Sequence, residues 1–196
     1  MHQGKLYSTG IVGCIAGSLT SSDLDQVYCL EGVSVISGSD GGGLVGTYCV
    51  SDGSPHSVSN SYSRANVSML DSGGLFGNLR SSGTPFTISS TYASNYVKGT
   101  SNTGKITALI SFSAVILQVS DVFFNNQTTN ASAIGCIESS PSTISSPFQG
   151  VTCSDLFSAV SSFNQSIWSG DRLKIEYNFT PGVCSCPDCP TQSPSA

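Results

Sequence analysis

The chain has 196 residues, seven Lys plus Arg against twelve Asp plus Glu, a net charge of −5 and only 10% charged residues. So few cations exclude a nucleic-acid binder, which needs clustered Lys and Arg, and no window approaches the roughly twenty apolar residues of a membrane helix, so no membrane insertion is expected. The surface must be built from Ser, Thr, Asn and Gly, which suits a wet, glycan-bearing exterior.

The opening "MHQGKLYSTG" has no apolar signal core, and repeated sequence begins almost at once. The chain is therefore expected to be a mature product or an excerpt of a longer protein. "DGGGLVGT" at 40–47 returns as "DSGGLFGN" at 71–78. A phosphate loop is excluded, because neither copy runs into helix-period spacing or supplies Gly-Lys-Ser/Thr. Gly13, Gly46, Gly77, Ala108 and Gly135 instead fall 33, 31, 31 and 27 residues apart by subtraction. A second ladder keeps this step: Leu24/Tyr28, Val58/Tyr62, Ile88/Tyr92, Val119/Phe123 and Ile144/Phe148. Five residues after each aromatic stand Val33, Val67, Val97, Thr128 and Cys153. The pattern describes about five copies of one supersecondary unit.

Each copy carries short Val, Ile, Thr, Tyr and Phe runs between Gly, Ser, Asn and Asp clusters, the signature of brief strands and tight turns. Stacking the copies about 4.8 Å apart predicts an all-β fold over residues 1–153, a right-handed parallel β-helix. Leu44, Leu75 and Ile106 should stack, as should Tyr62, Tyr92 and Phe123. The polar residues Gln26, Asn60, Ser90 and Asp121, midway between each apolar residue and its aromatic, predict a bend or bulge.

Beyond the copies, residues 154–180 are expected to form a cap. Ser154 would be the N-cap of a short helix bearing Leu156, Phe157, Val160 and Phe163 on one face, followed by Trp168 and a strand at 172–179. Residues 181–196 read as a Cys/Pro/Ser-rich tail or linker.

"GGGLVGTY…VSNSYSRANVS" and "SGGLFGNL…ISSTYASNYVKG" resemble the GLUG repeat, most closely over residues 38–100 and recognisably over 7–37 and 101–153. The resemblance implies a β-helical stalk, secreted or surface-displayed and often adhesin-like, with no catalytic residues in the repeat. Lys105 and Ala108 depart from it by replacing glycines in the fourth copy.

Parallel β-helices also host sugar-cleaving enzymes that group carboxylates with a basic residue on one face. Asp40, Asp71 and Asn102 would form such a ladder, although acid–amide ladders more often hydrogen-bond their own turns than bind calcium or move protons. Arg64 and Arg80 do not recur between copies, and His2 and His56 stand isolated. The aromatic ladder would bind sugar only if it faced outward, and core stacking is the expectation.

Five Asn-x-Ser/Thr sequons, at Asn66, Asn126, Asn130, Asn164 and Asn178, are candidate glycan sites for a secreted chain. Eight cysteines, Cys14, Cys29, Cys49, Cys136, Cys153, Cys184, Cys186 and Cys189, read as disulfide formers in an oxidising compartment. Zinc at "CSCPDC" lacks a matching His or second Cys pair. Connectivity is not deducible, but stacking favours Cys136 with Cys153, and Cys14 is placed at the copy-position of Cys136. Local pairing leaves a spare thiol at each end.

The expectation is a non-enzymatic extracellular or cell-surface protein, structural or adhesive, with no cofactor. It would carry N-glycans and self-associate head to tail as a filament protomer. A carbohydrate-active β-helix enzyme and a glycan-binding module are the alternatives.

Overall fold

A computed structural model describes residues 4–113, 116–127, 130–139, 143–160 and 163. The first coil contains β1 (Lys5–Ser8), β2 (Val12–Gly13), β3 (Ala16–Thr20), β4 (Leu24–Asp25) and β5 (Tyr28–Cys29). The second contains β6 (Ser34–Ser37), β7 (Asp40–Gly42), β8 (Val45–Val50), β9 (His56–Ser59) and β10 (Tyr62–Ser63). In the third, β11 (Asn66–Met69), β12 (Asp71–Gly73) and β13 (Phe76–Ser82) lead into one longer strand, β14 (Phe86–Ala93). The fourth repeats this as β15 (Val97–Gly99), β16 (Thr103–Gly104), β17 (Thr107–Ser113) and β18 (Ile116–Asn125). A partial fifth has β19 (Ile134–Ser139), β20 (Thr143–Ile144) and β21 (Gln149–Val151), followed by α1 (Cys153–Val160).

Every described pairing is parallel and joins one coil to the next, so like strands stack into four sheets. They run β1-β6-β11-β15, β2-β7-β12-β16, β3-β8-β13-β17-β19 and β5-β10-β14-β18-β20, the last broadened by β4, β9 and β21. The fold is a β-solenoid of about four turns with a small C-terminal helix. The fifth copy supplies strands to only two of the four sheets among the described residues.

The core follows from strand alternation: in β11, Val67 and Met69 are buried while Asn66 and Ser68 are exposed. Leu44, Leu75 and Ile106 stack as expected, the Leu44 N–H donating to Leu75 O at 2.9 Å and the Leu75 N–H to Ile106 O at 2.8 Å. The Tyr28, Tyr62, Tyr92, Phe123 ladder is likewise in register. The expected bend is a left-handed residue in each coil: Gln26, Asn60, Ser90 and Asp121 have φ of 56°, 47°, 48° and 52°.

Several register assignments need correction. Gly13 pairs with Gly42, so the mate of Gly46 is Gly17, lying between the pairs Ala16↔Val45 and Ser18↔Thr47. Cys14 therefore sits level with Gly43, whereas Cys136 pairs with Leu109 on another sheet. Val35, not Val33, pairs with Val67. Ile144 pairs with Leu117 rather than Val119, and Gln149 rather than Phe148 pairs with Phe123. Thr128 lies outside the described residues, and Cys153 opens α1 instead of a strand.

The helix is capped by Thr152, not Ser154. Its hydroxyl accepts the Asp155 N–H at 3.2 Å and donates back to the Asp155 carboxylate at 2.5 Å, a reciprocal pair that satisfies one otherwise orphan donor of the first turn. Leu156, Val160 and Phe163 are buried as expected. Trp168, the strand at 172–179 and the tail lie outside the described residues.

The paired glycines turn the second sheet into the third. A Cβ on Gly42 would lie 2.0 Å from Val45 O, on Gly73 1.6 Å from Phe76 O, and on Gly104 1.8 Å from Thr107 O. Because the obstacle is backbone in the adjoining strand, no rotamer relieves it. Gly73→Ala should therefore destabilise the chain by about 3 kcal/mol, the upper end of overpacking penalties, read as a lower denaturant midpoint. A loss within about 0.5 kcal/mol, as at an ordinary surface position, would mean that the corner is not built this way.

Candidate functional site

The acid–amide ladder lies on the second sheet, at the start of β7 and β12. Asp71 pairs with Asp40, and Asn102 donates to Asp71 Oδ1 from its backbone N–H at 3.0 Å and from Nδ2 at 2.8 Å. Asp40 accepts the Ser39 hydroxyl at 3.4 Å and the Thr47 hydroxyl at 3.3 Å. These carboxylates bind the neighbouring turn and strand, as acid–amide ladders commonly do.

Neither arginine joins them. Arg64 is buried and ion-paired to Glu31 at 2.5 Å, while Arg80 is exposed on β13. Among the described residues no group of three or more His, Cys, Asp or Glu is placed to hold a metal. His2 lies outside the described residues.

The tyrosines of the aromatic ladder are stacked, Tyr62 and Tyr92 buried and Tyr28 half-buried, but not in the coil interior. Tyr28 and Tyr62 rings lie 5.3 Å apart and Tyr62 and Tyr92 rings 4.8 Å apart, the latter within 3° of parallel. Ala93 joins the main core, whereas its strand neighbour Tyr92 belongs to a second cluster with Tyr62, Phe123, Leu156, Val160 and Phe163. Since adjacent strand residues face opposite ways, the rings stand on the outer side of the fourth sheet. The left-handed residue explains this: four positions apart, Val58 and Tyr62 would share a face on a regular strand, and the turn at Asn60 reverses it. Tyr62 and Tyr92 are 1% and 3% exposed, so neither ring is open to a sugar.

A polar clasp between the first two coils was not anticipated. Asp25 accepts the Ser59 hydroxyl at 2.7 Å and Asn60 Nδ2 at 2.8 Å, and Asp23 accepts the Ser57 N–H at 2.7 Å. Partial burial pushes the Asp25 carboxyl up, but the hydrogen bonds from Asn60, Ser59 and Gln26 outweigh it and hold the group below the usual range. His56 places Nε2 3.0 Å from Asp52 and Nδ1 3.7 Å from Asp23. The Ser54 N–H and then His56 lower the Asp52 carboxyl. Aligning coil one with coil two at an offset of 34, which sets Asp23 on Ser57 and Asp25 on Ser59, is the signal that finds the clasp.

Of the cysteines, Cys14 and Cys29 are bridged, with Cα atoms 6.1 Å apart. The thiols of Cys49 and Cys136 are free, so the expected Cys136–Cys153 bridge is not made. Cys136 stands on β19, whereas Cys153 lies past β21 at the start of the helix, not on a stacked strand. Cys184, Cys186 and Cys189 lie outside the described residues. Among the sequons, Asn66, Asn126 and Asn130 are exposed, and Asn164 and Asn178 lie outside the described residues.

Removal of one ring tests the stack. Tyr92→Ala should lower stability by about 3–5 kcal/mol, as for other buried aromatics, in a urea titration. A loss below about 1 kcal/mol would show a solvent-facing ring and restore the sugar-binding alternative.

No protein-family model, no curated protein and no solved structure matches this chain.

Proposed function

We propose that this chain is a non-enzymatic, extracellular or cell-surface structural element of GLUG-like repeats, adhesive or scaffolding in role, which assembles head to tail with copies of itself. The observation that carries the reading is the use made of the two ladders. Asp71 is engaged by Asn102, and Tyr62 and Tyr92 are packed ring on ring under cover. The groups best suited to handle a sugar are instead taken up in holding coil on coil. The Cys14–Cys29 bridge supports an oxidising compartment. Exposed Asn66, Asn126 and Asn130 support glycan attachment.

Mass spectrometry of the chain secreted from a eukaryotic host should give a non-reduced Cys14–Cys29 peptide and a mass that falls on N-glycosidase treatment, with one glycan lost in Asn66→Gln. Native material with reduced thiols and bare sequons would overturn the extracellular reading. Release of oligosaccharides from a polysaccharide, abolished in Asp71→Asn, would overturn the non-enzymatic one.

A further inference from the structure

The first coil is an unfinished interface. Among the described residues β1, β2, β3 and β5 are the terminal strands of their sheets, each paired with a strand on one side only. Five of the seven large apolar residues exposed among the described residues belong to this coil: Leu6, Tyr7, Ile11, Ile15 and Leu30, at 38–66%. Two of them are core-ladder positions. Leu6 pairs with Val35, and the Ile15 N–H donates to Leu44 O at 2.9 Å, yet Val35 and Leu44 are 0% exposed. Leu6 and Ile15 are open because none of the described residues lies beneath them, not because they face outward. Folded proteins usually blunt such edges with Pro, Lys or a covering segment. The first thirty residues contain no Pro, and their one Lys is Lys5.

The other end presents the matching edge. β19 is the terminal strand of the sheet that begins with β3, and its Ile137 is 51% exposed. The helix α1 does not cover that edge: it packs on β18 and β21, beside the aromatic stack. We propose that β19 of one copy stacks in parallel on β3 of the next, so that the interface between copies continues the interface between coils. This rests on the self-assembly proposed above and names the surfaces that would carry it. The partner is a second copy because this edge pairs elsewhere in the molecule only with coils of the same repeat, in parallel register, through the same apolar ladders. Joining unlike ends leaves one of each free, which makes an open filament rather than a closed dimer.

The test uses sedimentation velocity over a range of concentrations on the full chain and on Ile15→Lys and Ile137→Lys, with circular dichroism and the melting temperature confirming that each variant folds. Both residues are about half exposed within one copy, so the lysines should leave the fold intact while burying an unpaired charge at the joint. The unmodified chain should form a concentration-dependent ladder of species. Each variant alone should be at least about tenfold weaker in assembly, and an equal mixture of the two should form dimers and stop there, because each keeps one intact end. Dimers of Ile137→Lys alone would mean that first coils meet each other, and would overturn the head-to-tail contact. Assembly unaffected by either lysine would overturn these surfaces while leaving self-association standing. A monomer at every concentration would overturn both. Variants that fail to fold transfer the decision to Leu6→Lys and Tyr7→Lys, read in the same way at the first-coil edge.

Discussion

Hydrogen bonding between each coil and the next, in parallel register, is the constraint on which the rest of this structure depends. Strands as short as β10 or β16, two residues each, have no stability of their own and exist only as rungs. Because the register holds from coil to coil, apart from a shift after Ile110 in the β17–β19 pairing, like residues stand over like. An apolar position becomes a buried column, as with Leu44, Leu75 and Ile106. A polar position is tolerable where its neighbour above or below can answer it, as when buried Asn95 donates Nδ2 to Ala65 O at 2.9 Å and Gly74 O at 3.0 Å. The same requirement confines the corner between the second and third sheets to glycine.

The interior narrows at one level of the second and third coils, whereas the fourth admits the buried Lys105 at the equivalent position. A Cβ on Gly43 would come 2.2 Å from Ser63 Oγ, and on Gly74 3.0 Å from the Ala93 methyl. In the first coil the corresponding positions are Cys14 and Cys29, since Cys14 follows the Gly13↔Gly42 pair and Cys29 pairs with Ser63. The disulfide therefore ties covalently what the second and third coils hold by contact. It does so in the coil that, among the described residues, has a neighbour on one side only, a terminal position that in solenoids needs a cap. Closing a loop of 15 residues in this way contributes about 3 kcal/mol by the chain-entropy account.

Much of this architecture was legible in the sequence because stacking copies the same chemistry from turn to turn. The Leu44, Leu75, Ile106 column at the corner into the third sheet, the aromatic ladder, the acid–amide ladder and the polar residue at each bend could be read directly. Even-numbered slips were invisible. Moving Val33 by two leaves it on the same face, so the hydrophobic pattern raises no objection, and the four-residue slip at Gly13 crosses the corner between β2 and β3, where the same Gly-x-x-x-Gly spacing offers either glycine as the mate of Gly46. The fifth copy went wrong in the other way: a slip of one turned Phe148, which packs against the main core, into the apparent mate of outward-facing Phe123. The side on which the tyrosines stand depends on a positive φ at Asn60 and Ser90, and a serine does not announce one. Thr152 could have been recognised as the cap, because Asp155 stands three residues after it.

The claim on which everything else stands is the parallel register of the coils, and cross-strand nuclear Overhauser effects on an isotope-labelled chain test it most directly. The backbone protons of Val67 and Val97 should show contacts, as should those of Ser68 and Lys98, and of Tyr62 and Tyr92, with residue numbers rising together along each pair. Contacts in which one strand's numbers rise while its partner's fall, or pairing of Val67 with a residue of its own coil, would contradict the solenoid and every ladder built on it.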